Sequence, residues 1–307
     1  MATIAVAAVL VAVFTSVAEA AFPGANGRIA YVGAPPGEDD SELFTILPDG
    51  SGIEQLTDDL VNQDAPAWSP DGRELSLAVL GLSGGSTVFT MNADGSEMRA
   101  LARSRTLASP SFSPSGRRIL YTNGRAIKTI RTDGSDRRKV VKAVHRGILI
   151  EPQFSPDGRW IVFVGTPQGE RRQGIWKVRR NGKRLRRLTG NVNDRGPDLS
   201  PDGRRIAFER AEGLWLMRAN GKDRHPIPNT SGYNSPAFAP AGDRIATSRT
   251  VRPTPAIACS DIYTIRPDGS DPRQLTHNTD PGACPISGTD EAGTAGSPAW
   301  QPVPVAP

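Results

Sequence analysis

Two carboxylates stand just before the leading prolines of two repeats: Asp64 lies two residues before Pro66, and Glu151 lies directly before Pro152. In a shared, partly dry pocket such a pair could divide proton donation and abstraction between them. Burial raises a carboxyl pKa toward the range where it exchanges protons at neutral pH. That chemistry requires the two side chains to converge. The other candidates have poorer surroundings. GLSGG (81–85) carries the G-x-S-x-G spacing of a nucleophile elbow around Ser83, but an elbow needs a strand-to-helix turn and this stretch links two strand-like runs. His145, His225 and His277 are scattered with no ligand spacing, so no metal centre is expected. The DGSD turns (133–136 and 268–271) lack the alternating ligands and closing Glu of a calcium loop, which leaves GEDDSE (37–42) as the one stretch for a weak divalent-cation site. No catalytic residue and no cofactor is expected from these patterns.

The elements that must position Asp64 and Glu151 come from two phrases that alternate along the chain. The first is Pro-x-aromatic-Ser-Pro-Asp-Gly-Arg followed by alternating apolar residues: PAWSPDGRELSL (66–77), PSFSPSGRRILY (110–121), PQFSPDGRWIVF (152–163), PDLSPDGRRIAF (197–208) and PAFAPAGDRIAT (236–247). Its turn glycines, Gly72, Gly116, Gly158, Gly203 and Gly242, are spaced by 44, 42, 45 and 39 residues, and GANGRIAY (24–31) fits the second half of the phrase with Gly27 another 45 residues upstream. The second phrase is a strand, an Asp-Gly or Asn-Gly turn, and another strand, as in ELFTILPDGSGIEQLT (42–57) and DIYTIRPDGSDPRQLT (261–276). In S-P-D-G, Pro presets φ for the first corner, Asp bonds nearby backbone, and Gly takes the positive φ that ends the turn. The leading Pro is expected at a strand start, where its missing N–H is tolerated.

Each period therefore holds four short strands in about 40–45 residues, the pattern of a β-propeller blade. A single such unit cannot bury both of its faces. The chain ends on SPAWQPVPVAP (297–307), which breaks off before its Asp-Gly. Paired with the N-terminal stretch, residues 298–302 supply the missing innermost strand. The expected fold is all-β, a six-bladed propeller with four antiparallel strands per blade, closed between the chain ends. A seventh blade would have to lie in 277–297.

These repeats, W/F-S-P-D-G-R-x-I-A-F with N-A-D-G, resemble the WD40-like Pro-Asp repeats of TolB-type six-bladed propellers over essentially all of 22–302. The resemblance implies an exported propeller that binds peptides or protein segments at the mouth of its central channel. TolB-type proteins carry a separate α/β domain ahead of the propeller, whereas here the N-terminal apolar segment runs straight into the first blade, so Tol–Pal function is not carried over. Nor does a hydrolase domain follow, as in prolyl oligopeptidase-type relatives.

Residues 1–20 are expected to be a secretory signal peptide: MATIAVAAVLVAVFTSV is followed by an A-x-A site, Ala18-Glu19-Ala20. An uncleaved anchor is the alternative. Residues 21–307 would then form one domain. In an exported chain the two cysteines, Cys259 and Cys284, suggest a disulfide worth about 3 kcal/mol on a chain-entropy basis, the alternative being two thiols.

Charge is uneven. Residues 117–187 hold 20 Lys and Arg against 5 Asp and Glu, in a chain whose net charge is +5. The densest run is the hairpin KVRRNGKRLRR (177–187), where Arg179, Arg180, Lys183, Arg184, Arg186 and Arg187 should point outward over an inward Val178, Leu185 and Leu188. Such a sector could hold anionic cell-wall polymer, or simply protect an edge strand from pairing. Nucleic acid is not expected, because the basic run lacks interleaved aromatics.

Loops gathered on one face of a rigid scaffold usually carry function. Those leading into the innermost strands end near Gln63, Asp64, Glu151, Asp194, Arg195, Tyr233 and Asn234, a mixed polar ring with one aromatic. Three functions follow as expectations. The first is a monomeric, non-enzymatic module of the cell envelope binding a protein or peptide through this mouth. The second is a hydrolase or lyase using the channel-mouth carboxylates. The third is electrostatic attachment to anionic polymer.

Overall fold

The computed structural model describes residues 21–304 except 36–40, 60, 82–83, 144–146, 212, 255–256 and 278–295, and of 251–254, 257–259 and 296 it describes the backbone only. The expected signal segment, most of GEDDSE, Ser83, His145 and Cys284 lie outside the described residues, as do the side chain of Cys259 and most of 277–297.

Among the described residues the strands form six antiparallel sheets of four strands. Blade 1 runs Gln63–Trp68, Glu74–Leu80, Ser86–Asn92 and Arg99–Ser104. Blade 2 runs Ser111–Phe112, Arg118–Thr122, Ala126–Arg131 and Arg138–Lys142. Blade 3 runs Leu149–Phe154, Trp160–Gly165, Gly174–Arg179 and Arg186–Arg187. Blade 4 runs Asp194–Leu199, Arg205–Arg210, Gly213–Arg218 and His225–Pro226. Blade 5 runs Tyr233–Phe238, Ile245–Thr254, Ile257–Ile265 and Arg273–Gln274.

Blade 6 joins the two ends of the chain. Its inner strand is Gly296–Val303, followed across the sheet by Ala25–Gly33, Glu42–Ile46 and Glu54–Gln55. Ile29 faces Trp300 on one side and Ile46 on the other. The first strand of each blade touches that of the next, and Gly296–Val303 touches Gln63–Trp68, so the inner strands form a closed ring. In this register Asn26, not Gly27, takes the place of Gly72. No turn joins the two strands at the chain ends, so no left-handed glycine is needed there.

The core sits between blades rather than within them. Six apolar clusters lie at the six blade-to-blade interfaces; blades 1 and 2, for example, share Ala78, Val88, Phe112, Ile119 and Tyr121. The aromatic or Leu of each first phrase (Trp68, Phe112, Phe154, Leu199, Phe238, Trp300) is buried, each such side chain contributing about 1.5–3 kcal/mol. The turns follow their chemistry. Gly72 has φ +68 and donates to Ser69 O at 2.9 Å, while Asp71 accepts from Ser69 Oγ and Arg73 N.

The leading prolines differ from expectation. Pro66, Pro152, Pro197, Pro236 and Pro298 lie inside their strands, although Pro110 does directly precede one. In these five blades the inner strand's register slips across the proline, as between Asp64 and Ala67. This β-bulge leaves the proline unpaired, so its missing N–H costs no ladder bond. The residue just before the proline has a left-handed backbone in all six blades: Ala65, Ser109, Glu151, Gly196, Ser235 and Ser297, with φ between 42° and 57°.

Candidate functional site

The bulges carry Asp64 and Glu151 to the ring of inner strands. All seven expected mouth residues lie in the first half of an inner strand rather than in the loops before it, because the bulge extends each ladder past the proline. Five of the six pre-proline positions are small residues. Glu151 is the exception, and it is fully buried. Its Oε2 accepts from the Gly196 N–H of the next blade at 2.7 Å, while Oε1 has no protein partner. Burial pushes its pKa up to about 8, outweighing the Gly196 bond; the Glu209 and Asp64 charges add to the rise and Arg195 opposes it. Asp64 accepts from the Ala65 N–H at 2.6 Å and the Ser297 hydroxyl at 3.2 Å, and burial pushes it up to about 6. Asp64 and Glu151 belong to blades 1 and 3, which are not neighbours. The Asp64 charge contributes less to the rise at Glu151 than that of Glu209.

Asp198, absent from the expected set, joins them. It is fully buried and one residue past the proline of blade 4. Its Oδ2 accepts from the Phe238 N–H of blade 5 at 2.5 Å, its Oδ1 has no protein partner, and burial holds its pKa well above the ordinary range. Gln153, the matching residue of blade 3, has neither amide atom partnered by protein. The repeat places Ala67, Ser111, Gln153, Asp198, Ala237 and Ala299 at this position. An acid among mostly small residues is the signal that could have identified Asp198.

The remaining expected residues are engaged in structure. Gln63 Nε2 donates to Glu42 Oε2 at 3.2 Å, within a clip where the Thr57 hydroxyl donates to the same oxygen at 2.5 Å. Asp194 is fully buried and held by Arg210 through two bonds of 2.6 and 3.0 Å, with that guanidinium 4.4 Å from the Trp215 ring centre. Tyr233 packs edge-on against Tyr263 at 5.3 Å, with Arg249 5.2 Å above it. Asn234 accepts from the Ser248 hydroxyl through Oδ1 and from Thr247 Oγ1 through its carbonyl at 2.5 Å. Arg195 is half-buried and acts on Glu151 through its charge.

The basic residues Arg180, Lys183, Arg184, Arg186 and Arg187 are exposed on the outer hairpin of blade 3, over buried Val178 and Leu188. Arg179 differs: its guanidinium lies 4.6 Å from the Trp160 ring centre. Cross-strand pairing with Trp160 turns it toward that ring rather than outward. The stretch around Ser83 connects Glu74–Leu80 to Ser86–Asn92, strand to strand, as expected. Among the described residues no group of three or more His, Cys, Asp or Glu could hold a metal ion, and no helix is long and apolar enough to cross a membrane. What the inner ring offers chemically is Glu151 and Asp198, held neutral by burial and able to donate hydrogen bonds, and Asp64, whose pKa of about 6 lets it exchange protons near neutral pH.

A TolB homolog of Chlorobium luteolum is 32% identical over 134 residues, 41% of this chain and 30% of that protein. An uncharacterized protein of Agrobacterium fabrum is 26% identical over 185 residues, 59% of this chain and 57% of that protein. The chain thus spans less than two thirds of either relative. The crystal structure of TolB from Acinetobacter baumannii shares the fold, with a TM-score of 0.70 at 20% identity, over 90% of this chain and 67% of that one. The TolB beta propeller domain matches residues 20–232. This six-bladed architecture is consistent with a protein-interaction module. With six Pro-Asp blades closed by the two chain ends, and that match covering most of its length, the chain belongs to the TolB beta propeller domain family.

Proposed function

We propose that this propeller is an exported, non-enzymatic module of the cell envelope that binds a protein or peptide segment at the mouth of its ring of inner strands. The observation that carries the proposal is a set of carboxyl side chains on the inner strands of blades 1, 3 and 4, Asp64, Glu151 and Asp198, of which Glu151 and Asp198 each keep one buried oxygen with no protein partner. Glu151, neutral at pH 7, can donate to a carbonyl of an extended segment without the cost of a buried charge, while Asp64, largely ionised there, can accept from its N–H groups. Export is supported by the leader-like residues 1–20 and by membership of the TolB propeller family. The test is retention of envelope proteins by the immobilised full chain beside Asp64→Asn/Glu151→Gln, which keeps shape and removes the acids. A protein held by the first and lost by the second supports a site at the mouth; equal retention by both refutes it.

The raised pKa values of the same carboxyls favour a second reading, a hydrolase or lyase in which Glu151 gives a proton and Asp64 takes one. Saturable turnover of an envelope substrate, lost in Glu151→Gln, would establish it in place of the binding module.

A further inference from the structure

Blade 3 differs from its neighbours at its outer edge. Between its second and third strands the chain runs eight residues, 166–173, where blade 4 uses two (211–212) and blade 2 three (123–125). This longer loop carries Gly169-Glu170-Arg171-Arg172. It leans onto blade 2: Pro167 bridges to Ala143, and the Gln168 N–H donates to Lys142 O at 2.8 Å. Cross-strand register also sets an arginine, Arg187, directly opposite Trp176. The same place holds Pro226 opposite Trp215 in blade 4, Gln274 opposite Tyr263 in blade 5 and Gln55 opposite Phe44 in blade 6.

Residues paired across a ladder share one face of the sheet. Trp176 belongs to the apolar cluster between blades 2 and 3, and Leu185, two residues before Arg187, packs against that cluster. Arg187 therefore stands on the face toward blade 2, the side onto which the loop leans. Its guanidinium lies 6.0 Å from the Trp176 ring centre, and a methyl added at Gly190 would meet it at 3.7 Å. Loop and edge together form an open cleft of about 520 Å³, lined by Glu170, Arg171, Arg172, Trp176, Leu185 and Arg187 among others. That volume suits a small ligand. Three guanidinium groups thus share a wall with one carboxylate, and among the described residues no acid lies within ion-pair distance of any of the three. The Trp176 indole N–H is buried and has no acceptor among the described residues, a state that costs free energy until an acceptor arrives.

We propose that this cleft binds the phosphate group of a phosphorylated ligand, held by Arg187 and the loop arginines Arg171 and Arg172 over the wall of Trp176 and Leu185. Guanidinium groups match phosphate oxygens in paired, charge-assisted hydrogen bonds. Three of them, less the Glu170 charge, leave the two positive charges that a phosphate monoester balances at neutral pH. The site lies at the rim of blade 3, apart from the inner ring, and does not depend on the function proposed there.

The test is calorimetric titration of the full chain with glucose 6-phosphate, beside glucose and glucuronate, and co-sedimentation with phosphatidylcholine vesicles that hold phosphatidic acid. Glucose 6-phosphate should saturate while glucose does not; binding to the vesicles alone assigns the phosphate to a lipid headgroup instead. Arg187→Gln and Arg171→Gln/Arg172→Gln should each weaken binding about tenfold, and Glu170→Gln should tighten it. All three arginines are exposed, so these variants keep the fold. Lys222→Gln, the same loss of charge at an exposed turn of blade 4, should leave affinity unchanged. No saturation by either phosphate probe, glucuronate bound as tightly as glucose 6-phosphate, or unchanged affinity in Arg187→Gln overturns the proposal. So does weaker binding in Glu170→Gln, or an equal loss in Lys222→Gln, which would mark diffuse charge attraction rather than a site.

Discussion

Glu151→Gln provides the sharpest test of the inner ring. In the folded chain burial holds Glu151 neutral up to about pH 8, whereas in the unfolded chain it ionises near 4.5. Between those values the folded state keeps one proton that the unfolded state has released. Stability contributed by this group is therefore fully present below 4.5 and is lost as pH rises through 8. The slope is about 1.4 kcal/mol per pH unit, or about 5 kcal/mol over the whole window, as an upper figure. For a domain of this size that corresponds to a fall in melting temperature of roughly 3 °C per pH unit. Gln cannot ionise, and its carbonyl can still accept from Gly196. Asp64 and Asp198 titrate in both proteins and largely cancel in the comparison. The assay is thermal and urea unfolding of wild type and variant at intervals from pH 5 to 8.5. The wild type should lose stability with rising pH relative to the variant, whatever the variant's absolute stability. A difference between the two proteins that does not change with pH would refute the claim that Glu151 is buried and neutral.

Two further outcomes follow from other packing. Arg210→Met should cost about 3–5 kcal/mol in urea unfolding, because it strands the Asp194 charge in a dry site, and Asp194→Leu/Arg210→Met should recover most of that loss. Gly72→Ala would place a methyl 2.4 Å from Pro302 O at φ +68, at the junction of blades 1 and 6, whereas at Gly134 (φ +84) an added methyl meets nothing within 4 Å. Gly134→Ala should therefore cost about 1 kcal/mol from backbone strain alone, and Gly72→Ala should cost clearly more in the same measurement.

The pre-proline residues show how strain and site coincide. A left-handed backbone costs a non-glycine residue about 1–3 kcal/mol, yet five of the six positions are not glycine. Because all six blades share the conformation, the bulge belongs to the architecture rather than to a single active residue. Its effect is to turn one side chain per blade at the inner ring, and only in blade 3 is that side chain a carboxyl.

Blade number, strand count and ring closure were legible in the sequence because they rest on local chemistry. Pro and Asp shape the turn at 69–72 and Gly72 ends it, whatever surrounds it, and the same four residue types do so again at 155–158 and 200–203. The unfinished phrase at 298–302 needed a partner sheet, and Ala25–Gly33 was the sheet edge without an inner strand. The periodicity also shows which residues are equivalent. It does not show which non-equivalent residues meet. That Glu151 reaches the Gly196 N–H, that Asp198 reaches the Phe238 N–H, and that Lys177 reaches Ala219 O, each in the next blade, all depend on how far the blades turn about a common axis. The pKa values depend on the same thing, since burial of a carboxyl is set by the neighbouring blades and not by its own strand. Only the closed ring decides which acids are dry.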